Sequence, residues 1–160
     1  MSEPLTHAHD AATPDVAFSG WFEGRVHVLP VRIYYEDTDT SGIVYHANYL
    51  RYCERGRSDF LRMAGVSHLV MLEGESKLVW TLRRISLDYM RPARVDDLLM
   101  VRTRYTEMAG ARLVGEQEIY KGADLLCTAR IEAAVITLDG RPRRIPADIR
   151  EKLQPYLSAG

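Results

Sequence analysis

The sequence predicts an α+β domain in which one long helix packs against an antiparallel sheet. Three observations predict it. The segment from Tyr49 to Ala64 carries a helical stripe, the segments on both sides of it carry strand patterns, and the chain from Lys77 to Leu138 passes from strand to strand through connections too short for further helices. The last point excludes a doubly wound dinucleotide fold, which needs a helix between successive strands. Length and composition agree: 160 residues, 46% apolar and 27% charged, suit one soluble domain that buries roughly 70% of its unfolded surface.

Residues 1 to about 20 contain Glu3, Asp10, Asp15, Pro4 and Pro14 but no Lys or Arg, which predicts a flexible acidic tail. The formal charge is −1, so these three acids leave the rest of the chain at +2, too little for a global field that holds nucleic acid. A single domain is expected over 21–160, its order beginning between Trp21 and Val26. From Val26 to Tyr35 apolar residues alternate through Val31, Ile33 and Tyr35, a first strand with Pro30 at a bulge or edge.

Tyr49, Tyr52, Cys53, Gly56, Phe60, Met63 and Ala64 recur at three- and four-residue steps, and Gly65 supplies the stop. Gly56 costs about 1 kcal/mol of helix propensity against Ala, so its expected use is to let another backbone come close. A loop runs through Glu73 to Ser76. Leu78, Trp80 and Leu82 are even-numbered whereas Ile85, Leu87 and Tyr89 are odd, so a bulge is expected at Arg83 and Arg84. Two further strands follow, Asp97 to Met108 and Ala111 to Gly122. A long final strand places Ala123 to Val135, odd positions, on one face and Leu126, Ala134, Ile136 and Leu138 on the other. Pro146 opens a short terminal helix. The sheet is expected to have about five strands.

Cys53 and Cys127 allow one bridge at most, and a core of this size does not require it. No apolar run approaches 18 residues, and the first ten residues lack the basic start of a secretory signal. A cytoplasmic protein without membrane insertion is expected.

Reactive groups are densest between the first strand and the helix: Glu36, Asp37, Asp39, Gly42, His46 and Asn48. Asp37-x-Asp39-x-Ser41-Gly42 matches the first half of a calcium loop, but the twelfth position, where a bidentate Glu belongs, is Asn48. His46, Cys53 and Asp39 lack zinc spacing. No metal is expected. Two readings remain for Asp39 and His46. They serve local structure, as a cap and a satisfied polar residue, or they serve chemistry, Asp39 as base or nucleophile beside the open N–H groups of a helix start and His46 as its orienting partner. For Asp37 a local backbone role is expected.

The run from Val31 to Arg62, VRIYYEDTDTSGIVYHANYLRYCERGRSDFLR, together with the later LDYMRPARVDDLLMV, resembles the 4-hydroxybenzoyl-CoA thioesterase-like family of hotdog-fold enzymes, and within it the branch of Tol-Pal-associated acyl-CoA thioesterases. The resemblance spans about Pro30 to Leu138. It implies a helix wrapped by a curved sheet and hydrolysis of acyl-CoA thioesters to the free acid and coenzyme A. Neither a metal nor a bound organic cofactor is implied. Catalysis falls on Asp39, the second Asp of the motif, and on His46. The resemblance further implies homodimers, commonly paired into homotetramers, with active sites shared between subunits. Thr40-Ser41 departs from the small residues usual in the branch.

Tyr45, Asn48 and Trp80 are candidate substrate contacts, Trp80 either as core or as the floor of an acyl pocket. Arg83, Arg84, Arg143 and Arg144 are candidates for the phosphates of coenzyme A, against the plain alternative of a solvated face. RNA binding through the same arginines lacks a stacking platform of tyrosines. A non-catalytic hotdog module that binds an acyl thioester or an envelope-associated protein is the competing function.

Overall fold

The computed structural model describes residues 18–158. The tail expected over residues 1 to about 20 therefore falls, as far as residue 17, outside the described residues. Strands β1 (Trp21–Glu23) and β2 (Val26–Arg32) precede helix α1 (His46–Met63), and α2 (His68–Glu73) follows it. Four longer strands then run consecutively: β3 (Leu78–Tyr89), β4 (Leu98–Ala109), β5 (Arg112–Lys121) and β6 (Asp124–Thr137). Helix α3 (Ala147–Leu153) comes last. The six strands form one sheet in the order β1-β2-β4-β5-β6-β3, and every strand pair is antiparallel. Six strands replace the expected five or so because β1, three residues long, is too short to show an alternation. Its partner β2 continues past it, so Pro30 lies where only β4 pairs and its missing N–H costs the sheet nothing.

Helix α1 lies across the concave face and buries Tyr49, Tyr52, Cys53, Gly56, Phe60 and Leu61. The core divides along it. Tyr49, Tyr52 and Cys53 pack with Leu29, Ile33 and Val101 at its start, and Phe60 and Leu61 pack with Tyr105, Leu113 and Ile131 toward its end. Gly65, at φ +81°, closes the helix: its N–H bonds to Arg62 and that of Val66 to Leu61, leaving fewer orphan carbonyls. Gly56 does permit a close approach, but of side chains. A Cβ there would lie 2.9 Å from both Thr103 Oγ1 and Val101 Cγ1. Beside it the buried Gln117 amide donates to the Cys53 carbonyl at 2.8 Å and to Thr103 Oγ1 at 2.9 Å, while its oxygen accepts from Arg57 at 2.9 Å. A buried amide with every polar atom paired fixes the position of the helix along the sheet.

The bulge expected at Arg83 and Arg84 is present, as a register shift between Leu82 and Arg84. A second shift was not legible. Opposite Ile119 and Tyr120 the register skips Leu126, which turns inward and is 2% exposed, instead of lying on the outer face as strict alternation required. That outer face also carries charge: Glu23 pairs with Arg102 at 2.7 Å, and Glu116 with Arg104 at 2.6 Å and Arg130 at 3.6 Å. Exposed pairs of this kind contribute about 0–1 kcal/mol each. A long helix cradled by one curved antiparallel sheet is the hotdog arrangement, and among the described residues its long unpaired edge is β3.

Candidate active site

Between β2 and α1 the chain makes a 3-10 turn over Tyr35–Asp37 and a tighter turn from Asp39 to Gly42. The Asp37 carboxylate accepts the Tyr34 N–H at 2.8 Å, and its own backbone carbonyl accepts the Tyr45 N–H at 2.9 Å. Asp37 thus performs the local backbone role its position suggested. Asp39 closes the second turn: its N–H donates to Ile43 at 2.9 Å, and its carbonyl accepts from Gly42 at 3.0 Å, with Gly42 at φ +78°. Backbone bridges from Thr38 to Val44 and from Ile43 to Arg94 hold this turn against the loop that leads into β4.

The Asp39 side chain is exposed, and its Oδ1 accepts both the Ser41 N–H, at 2.8 Å, and the Ser41 hydroxyl. These two donors, with a smaller pull from His46, hold its carboxyl below the ordinary value. At neutral pH the group is a carboxylate.

Four residues after Gly42 the helix begins. Tyr45 occupies the N-cap without a capping side-chain bond, and the first N–H groups of α1, those of His46 and Ala47, have no acceptor within the helix. An uncapped helix start presents partial positive charge to whatever anion arrives. The His46 ring is exposed and stacks obliquely on Tyr45, centroids 4.5 Å apart. Beside it opens a cleft of about 280 Å³ lined by Ile43, Val44, His46, Tyr49, Tyr89 and Pro92. Burial raises the Tyr49 hydroxyl pKa, and that hydroxyl accepts the Ala93 N–H at 2.9 Å.

The structure therefore brings together Asp39, Tyr45 and His46. Asn48 adjoins them but is 7% exposed and donates its amide to the Asp37 carbonyl. The other candidate substrate contacts lie elsewhere in the same chain. Trp80 lines a cleft of about 170 Å³ against Glu54, Ser58 and Leu61 on the far half of α1, its indole N–H buried without a partner. Arg83 pairs with Glu132 at 3.3 Å, and Arg84 is exposed. Arg143 and Arg144 are exposed beyond β6, where the Arg143 N–H bonds to Val135. That is the Leu78 end of β3, roughly 36 Å along the strand from Tyr89 beside His46.

Two site residues were missed. Ser41 could have been found, since an Asp followed two residues later by Ser is an Asx-turn signal. Tyr89, whose hydroxyl donates to the His46 carbonyl at 2.8 Å, comes from 43 residues away and left no local signal. Among the described residues, no three His, Cys, Asp or Glu side chains group closely enough to hold a metal ion. Nor is any described helix long and apolar enough to cross a membrane.

The site thus sets a turn carboxylate beside an uncapped helix start on a hotdog scaffold, an acceptor of protons next to open N–H donors. Residues 41–128 match the thioesterase superfamily, and the chain belongs to that family. The matched span opens two residues after Asp39 and contains His46 and Tyr89. The chain is 38% identical over 123 residues to "Acyl-CoA thioesterase YbgC" of Haemophilus influenzae, covering 76% of this chain and 90% of that protein. It is 37% identical over 123 residues to "Acyl-CoA thioester hydrolase YbgC" of Escherichia coli O157:H7, covering 75% and 90%. Among solved structures, "Probable Thioesterase from Bartonella henselae" superposes with a TM-score of 0.73 at 43% identity, over 76% of this chain and 99% of that one.

Proposed function

We propose that this chain hydrolyses acyl-CoA thioesters to the free acid and coenzyme A, the activity stated in the names of its YbgC relatives. The observation that carries the reading is the Asp39 carboxylate, kept ionised by Ser41, in the turn that leads into the uncapped start of α1. As general base, Asp39 takes a proton from water while the water oxygen bonds to the acyl carbon; the carbon–sulfur bond then breaks, and coenzyme A leaves as a thiolate that takes up the proton. As nucleophile, it bonds to that carbon itself, the carbon–sulfur bond breaks, coenzyme A leaves as a thiolate that takes up a proton, and water then cleaves the mixed anhydride. Both routes put negative charge on the thioester oxygen. The open N–H groups at the start of α1, those of His46 and Ala47, donate to that oxygen and stabilise its charge, and the His46 side chain orients the group.

A second copy belongs to the same reading. Strand β3 is a free edge, and antiparallel pairing along it sets the Leu78 end of each copy against the Tyr89 end of the other. Trp80, Arg143 and Arg144, remote from Asp39 within one chain, then approach the partner's site, where the arginines meet the phosphates of coenzyme A, whereas Arg83 and Arg84, midway along β3, lie near the two-fold axis. A homodimer or a tetramer of two dimers, acting in the cytoplasm in association with the Tol-Pal envelope system, completes the proposal. The corrected position of Leu126 and the charged outer face shift the support for assembly from the sheet face to this edge.

Thiol release from a panel of acyl-CoAs, followed with a thiol-reactive dye, tests the activity. Turnover of at least one member without added metal is the expected result. Tight binding of the panel without any release would instead identify the non-catalytic acyl-binding module.

A further inference from the structure

Tyr89 ends the edge strand β3, and its hydroxyl donates to the carbonyl of His46, the first residue of α1, at 2.8 Å. That carbonyl is one half of a peptide group whose other half is the Ala47 N–H. As the first carbonyl of an α-helix it already takes the N–H four residues on, so Tyr89 supplies a second donor. Withdrawing charge through a peptide carbonyl makes the N–H of the same peptide a stronger donor, a cooperative gain of about 10–30% per bond. The N–H strengthened here is one of the open donors at the helix start.

The Tyr89 ring is held for this task. It meets Tyr49 edge-on with centroids 5.4 Å apart, and Tyr49 is fixed in turn by its bond from the Ala93 N–H. Burial raises the Tyr89 hydroxyl pKa, so it stays protonated and able to donate at neutral pH. The residue is nevertheless 48% exposed and walls the cleft beside His46. Solvent can meet the hydrogen-bonding need of an exposed carbonyl, so the fold alone does not require this hydroxyl, but a mobile water is not held in place as the hydroxyl is by its packed ring.

We propose that Tyr89 is a positioning residue for the hydrolytic step: it fixes and polarises the first peptide of α1, so that the helix start meets the oxyanion with a stronger donor. The inference rests on the thioesterase reading above. It acts in the transition state, where the carbonyl oxygen gains charge, and little in the ground state.

The test compares Tyr89→Phe, the wild-type chain and a chain with 3-fluorotyrosine installed at position 89, assayed on one acyl-CoA below the pKa of either phenol. Tyr89→Phe keeps the ring against Tyr49 and loses the donor; kcat is expected to fall about tenfold, less than loss of a whole oxyanion donor, with KM within about twofold and an unchanged melting temperature. The fluorinated phenol is the better donor, so kcat is expected to exceed that of the wild type. Packing alone would give the three proteins equal kcat, and that result overturns the inference while leaving the thioesterase reading intact. A wild-type chain that releases no thiol from any acyl-CoA overturns both.

Discussion

The Asn48 side-chain amide donates to the Asp37 backbone carbonyl at 2.8 Å, and the Tyr45 N–H converges on the same oxygen at 2.9 Å. One carbonyl thereby ties the first turn of α1 to the turn that carries Asp39. Asn48→Ala removes one of the two donors in a nearly dry environment and should cost about 1–2 kcal/mol. It also frees Asp39 to move against the helix start, so kcat should fall about tenfold for every acyl-CoA, with little change in KM. A direct substrate contact would give the opposite pattern, a KM effect that varies with the acyl group. Steady-state kinetics on three chain lengths, beside thermal melts, separate the two.

On the proposed mechanism, Ser41 sets the acid limit of the reaction. The form of Asp39 that this mechanism requires is the carboxylate, and its pKa lies below the ordinary value because Ser41 donates twice to Oδ1. Activity is therefore complete above the lowered pKa and lost as pH falls through it. Ser41→Ala removes the hydroxyl donor and keeps the N–H, so the pKa rises toward its ordinary value and the acid limb of kcat/KM moves to higher pH. Near pH 7 Asp39 is ionised in both proteins, and their rates should agree within about tenfold. A pH–rate profile from pH 3 to 8 reads the shift; superimposed acid limbs would contradict the role given to Ser41.

Gly56 shows how tightly the helix is seated. A methyl group there would meet Thr103 Oγ1 and Val101 Cγ1 at 2.9 Å and Gln117 Nε2 at 3.3 Å. Thr103 and Val101 are β-branched and stiff, so they cannot swing aside. Gly56→Ala gains about 1 kcal/mol of helix propensity and loses about 1–3 kcal/mol to overpacking and disruption of the Gln117 network. A net destabilisation is expected in chemical denaturation, and a variant more stable than the wild type would show that the contact is slack.

His27 links stability to pH. It is fully buried, its Nε2–H donates to the Ser19 carbonyl at 2.6 Å, and its Nδ1 has no partner among the described residues. Burial holds its pKa below the ordinary value, although the Ser19 carbonyl and Asp59 pull it partly back. The unfolded chain takes up a proton as pH falls through about 6.5, before the folded one does. Stability is thus full above that pH and declines below it. The melting temperature should drop between pH 7.5 and 5.5, and His27→Phe, which cannot titrate, should show a flatter dependence from a lower starting value. Parallel profiles for the two proteins would remove His27 as the cause.

The elements legible in the sequence were those with a period long enough to read. Eighteen residues of α1 displayed their stripe through Tyr49, Cys53 and Phe60, and the parity change between Leu82 and Ile85 announced the β3 bulge. What escaped was short or non-local. Helix α2 has six residues, with Leu69 and Val70 exposed, so it shows no stripe. The bulge at Leu126 changes no pattern, because Leu125 and Cys127 on either side are also apolar. At the site, the turn and helix start could be read because Asp39 and His46 are neighbours in sequence. Tyr89 and Asn48 are joined to the site through backbone carbonyls, which every residue possesses, and no residue type marks the acceptor.

The central claim is that the Asp39 carboxylate performs the chemistry. Asp39→Asn tests it most directly, since the amide keeps the size of the side chain and an oxygen for the Ser41 donors but can neither take a proton from water nor attack a thioester. Asp37→Asn serves as the control, because an amide oxygen can still accept the Tyr34 N–H, and it should lose less than about tenfold. His46→Ala should fall between them, its backbone N–H remaining in place. The decisive measurement is kcat of Asp39→Asn on an acyl-CoA that the wild type turns over, with a thermal melt of the same preparation. A fall of at least about 100-fold at an unchanged melting temperature is expected, and near-normal turnover by the folded variant would contradict the claim.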